Sequence, residues 1–220
     1  MAAIRDLFKG ADEAKKLNDE AKELLDNLEA LATVKAEFFQ QLIENKLRSA
    51  GVGQDQTVAI SKIQSFKMQT RAYVSSDTAK ITGAVSGAIK GFVKGGSDNI
   101  QNGVTSLLTE MVTALFGESE GSESLKSEYY LVNEGVALIR LDLMAWSRAV
   151  KSSSLTTKVE QVSAFCLYKS TVDIDKLDFD TFLDRYQDII TAGHPEMTME
   201  QTIAKCKEDF ALFKKPLVAA

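Results

Sequence analysis

Residues 159–174, VEQVSAFCLYKSTVDI, contain an apolar run from Val162 to Tyr168. Apolar side chains occupy both odd and even positions of this run, so it lacks the alternation of a strand with one face in water. Such a strand is expected where helices cover both faces of a sheet. We therefore predict a central sheet between two helical layers.

The residues before this run predict a β-hairpin. Residues 129–132 (YYLV) and 136–145 are rich in strand-forming side chains, and Asn133-Glu134-Gly135 between them is a turn signal. We place the strands of the sheet within residues 127–174 and expect mainly antiparallel pairing.

A further strand is predicted over residues 56–74. Phe66 and Met68 alternate there with Lys67 and Gln69, which is the period of two expected of a strand. This strand precedes the predicted hairpin in the chain and is expected to join the same sheet.

Residues 12–50 have an amphipathic helical pattern that ends at Gly51. Asp12 is a suitable N-cap, and apolar residues follow at three- and four-residue spacing. Glycine and proline do not interrupt the pattern, and the β-branched pair Thr33-Val34 is the natural point for a break. Because a helix of about 39 residues is rare in a compact domain, we favour a helix pair, although one long helix also fits.

Residues 77–117 predict an αα-hairpin whose two helices meet at Gly95-Gly96. The first helix carries glycines four residues apart, which cost about 1 kcal/mol each relative to alanine. Two compensations are open: the glycine strip packs closely against a neighbour, or the hairpin is kept loose enough to detach and lie on lipid. The packing and hinge candidates are Gly83, Gly87, Gly91, Gly95 and Gly96.

Two closing helices are predicted over residues 178–191 and 198–215. Asp178 has N-cap chemistry, and Thr198 with Gln201 has the spacing of a capping box. The fold class is therefore α/β in the broad sense, more narrowly α+β. We expect one domain over residues 1–220, a sandwich with helical hairpins packed on both faces of a central, mainly antiparallel sheet.

The composition is that of a globular protein with an acidic balance. The chain has 220 residues, 45% of them hydrophobic, and a net charge of −5. Without a cluster of Lys and Arg, nucleic acid is not expected as a partner. The N-terminus lacks the apolar core of a secretory signal, so we expect synthesis in the cytoplasm and action outside the cell at target membranes.

Catalytic and metal-binding patterns are weak in this sequence. The single histidine, His194, lies in a predicted turn before Pro195, and one His with two separated Cys cannot build a zinc site. The acidic residues of 173–180 lack the glycine and glutamate of a calcium loop. We expect a protein that is not an enzyme and uses no cofactor or metal. Cys206 is kept as a candidate for acylation, although a buried thiol is the simpler interpretation.

The element order resembles that of the Cyt-type cytolysins, which include bacterial insecticidal crystal toxins, the mushroom toxin volvatoxin and an insect-gut virulence factor. The local similarity lies in residues 127–130 (SEYY), 133–135 (NEG), 158–169 (KVEQVSAFCLYK) and 172–179 (VDIDKLDF). The resemblance implies a membrane-active, pore-forming toxin or virulence protein without catalysis. In this family, helical layers leave the sheet, apolar surface meets lipid and several copies assemble.

If this mechanism applies, the 77–117 hairpin binds membrane lipid and the protein forms a homo-oligomer there. Few charges interrupt the apolar stripes of the hairpin, which agrees with that role. The candidate membrane-interacting residues are Ile81, Val85, Ile89, Phe92, Val93, Leu107, Leu108 and Met111.

The alternative is a soluble interaction or structural protein that self-associates through the 12–50 helix. Leu17, Leu24, Leu31 and Phe38 recur at heptad spacing, as in helices that pair with a copy or a partner.

Overall fold

The computed structural model describes residues 19–52, 57–73, 87, 92, 98–116, 123–135, 137–149 and 161–215. The 3-10 turn Ile174–Lys176 follows the last strand. The helices and strands with defined bounds are α1 (Asp19–Ser49), β1 (Ile60–Tyr73), α2 (Asp98–Phe116), β2 (Glu123–Glu134), β3 (Ala137–Ala149), β4 (Gln161–Val172), α3 (Phe179–Gly193) and α4 (Met199–Phe213).

The four strands form one antiparallel sheet in the order β1-β4-β3-β2, so β1 and β2 are its edges. On one face, Met144, Trp146 and alternate residues of β4 pack against α1. On the other, Phe165 and Leu167 pack in a core cluster with residues of α2. The predicted α+β fold with a central antiparallel sheet between helices is confirmed.

The β2–β3 hairpin is longer than the sequence indicates. Gly135 sits in the predicted turn with φ of 65°, a left-handed conformation that glycine adopts without strain. β2 begins at Glu123, before the predicted boundary at residue 127, because Glu123 and Leu125 still pair with β3. This end of an edge strand is polar and resembles a loop in sequence.

α1 is one continuous helix, so the favoured helix pair is wrong over the described part of residues 12–50. Residues 12–18, including Asp12, lie outside the described residues. Thr33 Oγ1 donates to the Glu29 carbonyl at 2.9 Å, and Val34 projects into solvent, so the β-branched pair is accommodated within the helix. A buried stripe from Leu28 to Leu47 packs along the sheet and stabilises the whole length.

α2 confirms the second helix of the predicted 77–117 hairpin. Its buried residues are Val104, Leu108, Met111 and Leu115, which pack on the sheet face opposite α1. The first helix of the hairpin lies outside the described residues, apart from Gly87, which is helical, and Phe92, which packs against the same cluster.

Both closing helices begin at the predicted caps. The Asp178 carboxylate accepts a hydrogen bond from the Thr181 backbone N–H at 2.8 Å, and Thr198 with Gln201 forms the reciprocal capping box. α3 and α4 then pack through aromatic rings, with Phe182 and Phe210 centred 5.1 Å apart. Tyr186 also donates its hydroxyl proton to Asp209 across this contact.

Two carboxylates join α1 to the sheet, and their protonation should weaken the fold. The Tyr168 hydroxyl, 2.6 Å from Glu44, lowers the pKa of Glu44 below its ordinary 4.5. Bonds from Lys35 and then Trp146 lower the pKa of Glu123 in the same way. Because both folded-state pKa values are lowered, this stability is present above the ordinary pKa and is lost as pH falls through the folded-state values.

We therefore expect the double variant Glu44→Gln/Glu123→Gln to lose less unfolding free energy than the wild type when pH falls from about 6 to about 3. Urea unfolding at both pH values measures this difference. An equal loss in the two proteins would show that these bonds do not contribute to acid sensitivity.

Candidate functional site

The membrane residues predicted on the hairpin belong to the core where they are described. Leu108 and Met111 are buried against the sheet, and Phe92 and Leu107 are partly buried beside them. Ile81, Val85, Ile89 and Val93 lie outside the described residues. In this conformation the described members therefore have little surface to offer lipid, and the hairpin would have to move to use them.

The glycine strip is described only at Gly87, which is exposed on a helix. Among the described residues, a Cβ built there would meet no atom within 4 Å, so close packing is not found at this position. The other strip and hinge glycines, Gly83, Gly91, Gly95 and Gly96, lie outside the described residues.

Because the surroundings of Gly87 are open, we expect a small added side chain to stabilise the helix. Gly87→Ala should raise stability by up to about 1 kcal/mol, because alanine favours the helix and meets no neighbour. The melting temperature, measured by circular dichroism, checks this. A clear fall would mean that close packing exists at this position after all.

A different glycine makes the close helix contact. At Gly103 of α2, a Cβ would clash with the Ile189 carbonyl oxygen and would lie 3.0 Å from the Gly193 nitrogen of α3. Both neighbours are backbone atoms, which cannot rotate away. Sequence reasoning missed Gly103 because a single glycine in an apolar helix carries no periodic signal.

Edge strand β1 carries three of the four exposed large apolar side chains described in the sheet, and the fourth, Leu125, lies on β2 and is 54% exposed. Ile63, Phe66 and Met68 are 43%, 52% and 38% exposed. They pair with Ser170, Tyr168 and Cys166 of β4, whose even-numbered side chains face α1, so all three project from the same face of the sheet. We call these three residues the β1 apolar row.

Two irregularities in the pairing create this row. Register shifts occur between Ile60 and Lys62 and between Ile63 and Ser65. Each adds one residue to β1, and the second, which lies between Ile63 and Phe66, turns Ile63 to the face of Phe66 although strict alternation would place it on the other face. Sequence alternation identified Phe66 and Met68 on one face but could not include Ile63.

The charges of β1 are all basic. The strand reads ISKIQSFKMQTRAY, with Lys62, Lys67 and Arg71 and neither Asp nor Glu. Lysines and bulges on an edge strand also discourage pairing with the edge of another sheet. The edge therefore combines exposed apolar side chains with positive charge in a chain that is acidic overall.

A polar pocket of about 380 Å³ opens between α1, the β2–β3 hairpin and α3. Arg140, which is 1% exposed, makes a paired contact with Asp142 through its Nε and Nη2 at 2.8 to 3.1 Å. Arg140 Nη1 also donates to the Val58 carbonyl at 2.7 Å. Burial raises the pKa of Asp142, and the Arg140 charge opposes that rise.

The ring of Tyr129 lies between two guanidinium groups at this pocket. The central carbons of Arg140 and Arg185 are 4.2 Å and 4.7 Å from the ring centre. Lys46 of α1 also lines the pocket and donates to the Ser127 hydroxyl at 3.2 Å. The pocket was not predicted, because its residues come from separate elements and form no sequence motif.

The remaining candidates have structural roles in the described residues. Both Cys166 and Cys206 are fully buried, so the Cys206 thiol is not available for acylation in this conformation. His194 caps the end of α3 beside Glu196, and Asp178 caps its start. Within the described part of the chain, His, Cys, Asp and Glu do not gather in groups of three that could hold a metal ion.

None of the described helices is both long and apolar enough to cross a membrane. Comparison of the chain with protein-family models, curated proteins and solved structures gave no match.

Proposed function

We propose that this protein is a non-enzymatic, membrane-active protein of the cytolysin type that attaches to anionic lipid through the β1 apolar row. The observation that carries the proposal is the combination on one edge strand of exposed Ile63, Phe66 and Met68 with exclusively basic charge. Peripheral membrane proteins bind in this way, with apolar side chains entering the interface and cations facing lipid phosphates.

The expected attachment is weak and reversible for a single copy. Burying the exposed part of three side chains contributes about 1 kcal/mol each. Each lysine near an anionic surface adds about 1 kcal/mol. Lys62 and Lys67 lie on the other face of the same strand, at the edge that would approach the bilayer. Assembly of several copies would multiply this attachment through avidity.

Release of the hairpin containing α2 is proposed as a later step, because it has a large cost in the dissolved protein. Removing Val104, Leu108, Met111 and Leu115 from the core would expose four buried side chains, at about 1.5 to 3 kcal/mol each. Lipid must replace these contacts. Hydrogen exchange on vesicles tests the step: protection should fall in residues 98–116 and persist in β3 and β4, whereas unchanged protection with leakage would exclude it.

We expect Phe66→Glu/Met68→Glu to lose at least about tenfold in affinity for vesicles containing anionic lipid. The substitutions remove two apolar contacts and add negative charge at the membrane. Both positions are partly exposed on an edge strand, but Phe66 also stacks on the buried Tyr168 ring, so circular dichroism is used to check that the variant keeps its fold. Co-sedimentation with vesicles measures binding, and dye release from the same vesicles measures lytic activity.

The matched control is Met199→Glu/Leu212→Glu, because both residues are exposed apolar side chains on α4, far from β1 in the chain. It adds the same charge and removes similar apolar surface, so it should bind like the wild type. Equal loss in both variants would attribute binding to overall charge and would contradict the proposed surface.

The second candidate is self-association through the outer face of α1. Val34 and Phe38 are 62% and 51% exposed, and Leu31 is partly buried one turn before Val34. Such a stripe is typical of helices that pair with a copy. Sedimentation velocity of the wild type and Val34→Glu/Phe38→Glu tests it: a dimer in the wild type that is lost in the variant supports this function, and a monomer at all concentrations opposes it.

A further inference from the structure

We propose that the polar pocket between α1, the β2–β3 hairpin and α3 binds a phosphate-bearing anion. The pocket is lined by Ile43, Lys46, Thr57, Ser127, Glu128, Tyr129, Arg140, Asp142, Leu143, Met144 and Arg185. Its volume of about 380 Å³ is that of a small-molecule site. The proposal concerns a different surface from the β1 apolar row and does not depend on membrane binding.

The charges of the pocket favour an anion. Arg140 and Asp142 bind each other and cancel. Glu128 pairs with Leu143 of β3, so its side chain lies on the sheet face opposite α1. The Tyr130 side chain lies on that same face, and its pKa is raised mainly by burial and secondly by the Glu128 charge. Lys46 and Arg185 are therefore the cations of the wall that are not held in a buried ion pair.

The neighbours of these two cations leave them able to bind a ligand. Arg185 contacts Asp184 at 3.1 Å, and the side chains are 41% and 65% exposed. An exposed pair of this kind contributes little and can exchange for a ligand. Asp188 also lies near enough to Arg185 for their charges to interact. Lys46 donates to the neutral Ser127 hydroxyl, and its charge also interacts with Asp142, whose hydrogen-bonded partner is Arg140.

Rigid positioning supports recognition of a phosphate. The Tyr129 ring contacts the guanidinium groups of both Arg185 and the buried Arg140. It therefore holds Arg185 at a defined place in the pocket. The bonds of Arg140 to described residues use three of its five N–H groups. Cations together with N–H and hydroxyl donors on separate, packed elements are the usual constituents of a phosphate site.

The first arm of the test uses inorganic phosphate without lipid. Phosphate should raise the melting temperature of the wild type above that in sodium chloride of the same ionic strength. The variant Lys46→Gln/Arg185→Gln should lose this rise, whereas the control Lys176→Gln/Lys207→Gln, with two exposed lysines elsewhere, should keep it. Arg140 is left unchanged because the fold depends on its buried pair with Asp142.

The second arm distinguishes a lipid headgroup from a free phosphate. Vesicles with phosphatidic acid, a phosphate monoester, are compared with phosphatidylserine vesicles of matched surface charge. A preference for phosphatidic acid that is lost only in Lys46→Gln/Arg185→Gln identifies a headgroup site. A melting shift without that preference identifies a free phosphate. If the pocket variant and the control behave alike in both arms, the proposal is overturned, while binding through β1 is untouched.

Discussion

Gly103→Ala is expected to lower the free energy of unfolding by about 3 kcal/mol or more. The new Cβ would clash with the Ile189 carbonyl oxygen, so the backbones of α2 and α3 must separate. Their separation loosens the contact that joins α2 to the closing helices. For a chain of this size, such a loss lowers the melting temperature by roughly 6 to 12 °C.

Gly87→Ala is the matched control, because it makes the same substitution at a helical glycine with open surroundings. The alanine improves helix propensity at both positions, so the difference between the two variants isolates the close contact. Thermal unfolding followed by circular dichroism measures both. If Gly103→Ala melts with or above the wild type, the two helices are not in the close contact described above.

Arg140→Met is expected to cost about 3 to 5 kcal/mol, because it leaves the Asp142 carboxylate buried without its cation. It also removes the donor to the Val58 carbonyl just before β1. The double variant Arg140→Met/Asp142→Leu should regain part of the loss, because no unpaired charge remains in the core. Urea unfolding of the two variants measures the difference.

The pH dependence of Arg140→Met provides a second readout. Without Arg140, burial is opposed only by the weaker effect of the Lys46 charge, so the pKa of Asp142 rises further above its ordinary 3.8. A raised folded-state pKa destabilises the fold above the ordinary pKa, and the penalty fades as pH falls and the carboxyl takes up a proton. The loss should therefore be smaller at about pH 4 than at about pH 7. A loss that is independent of pH would contradict an unpaired buried carboxylate.

The sequence predicts the elements whose signals are local. The turn at Gly135, the N-cap at Asp178 and the capping box of Thr198 with Gln201 each depend on a few adjacent residues, and all are confirmed. The burial of β4 on both faces was predictable because its apolar run does not alternate.

The features that sequence reasoning missed depend on contacts between distant residues. The continuity of α1 past Thr33 is stabilised by packing on strands that lie more than 100 residues later. The bulges that turn Ile63 outward are set by the pairing with β4. Arg140 and Asp142 are only two residues apart in sequence. Their ion pair matters for stability because it is buried, and burial is a property of the folded chain.

The glycine pattern is a case in which a conspicuous sequence signal and the packing differ. The four-residue repeat of glycines draws attention to Gly87, which is exposed, whereas the tight backbone contact is at the isolated Gly103. Close approach between helices depends on where their axes cross. A repeat along one helix cannot reveal that point without the position of its neighbour.

The most direct test of lipid attachment through β1 is a reporter placed in the β1 apolar row. Phe66→Cys, labelled with an environment-sensitive dye, is compared with Met199→Cys on α4. The native thiols should not compete for the label. Both are fully buried, and burial raises the pKa of Cys166 to about 12 and that of Cys206 to about 11.

On vesicles with anionic lipid, we expect dye fluorescence at position 66 to increase and shift to the blue, as the dye leaves water for the bilayer interface. The dye at position 199 should change little, and zwitterionic vesicles should have little effect at either position. An unchanged signal at position 66 with folded protein, or an equal change at position 199, would contradict membrane attachment through the edge of the sheet.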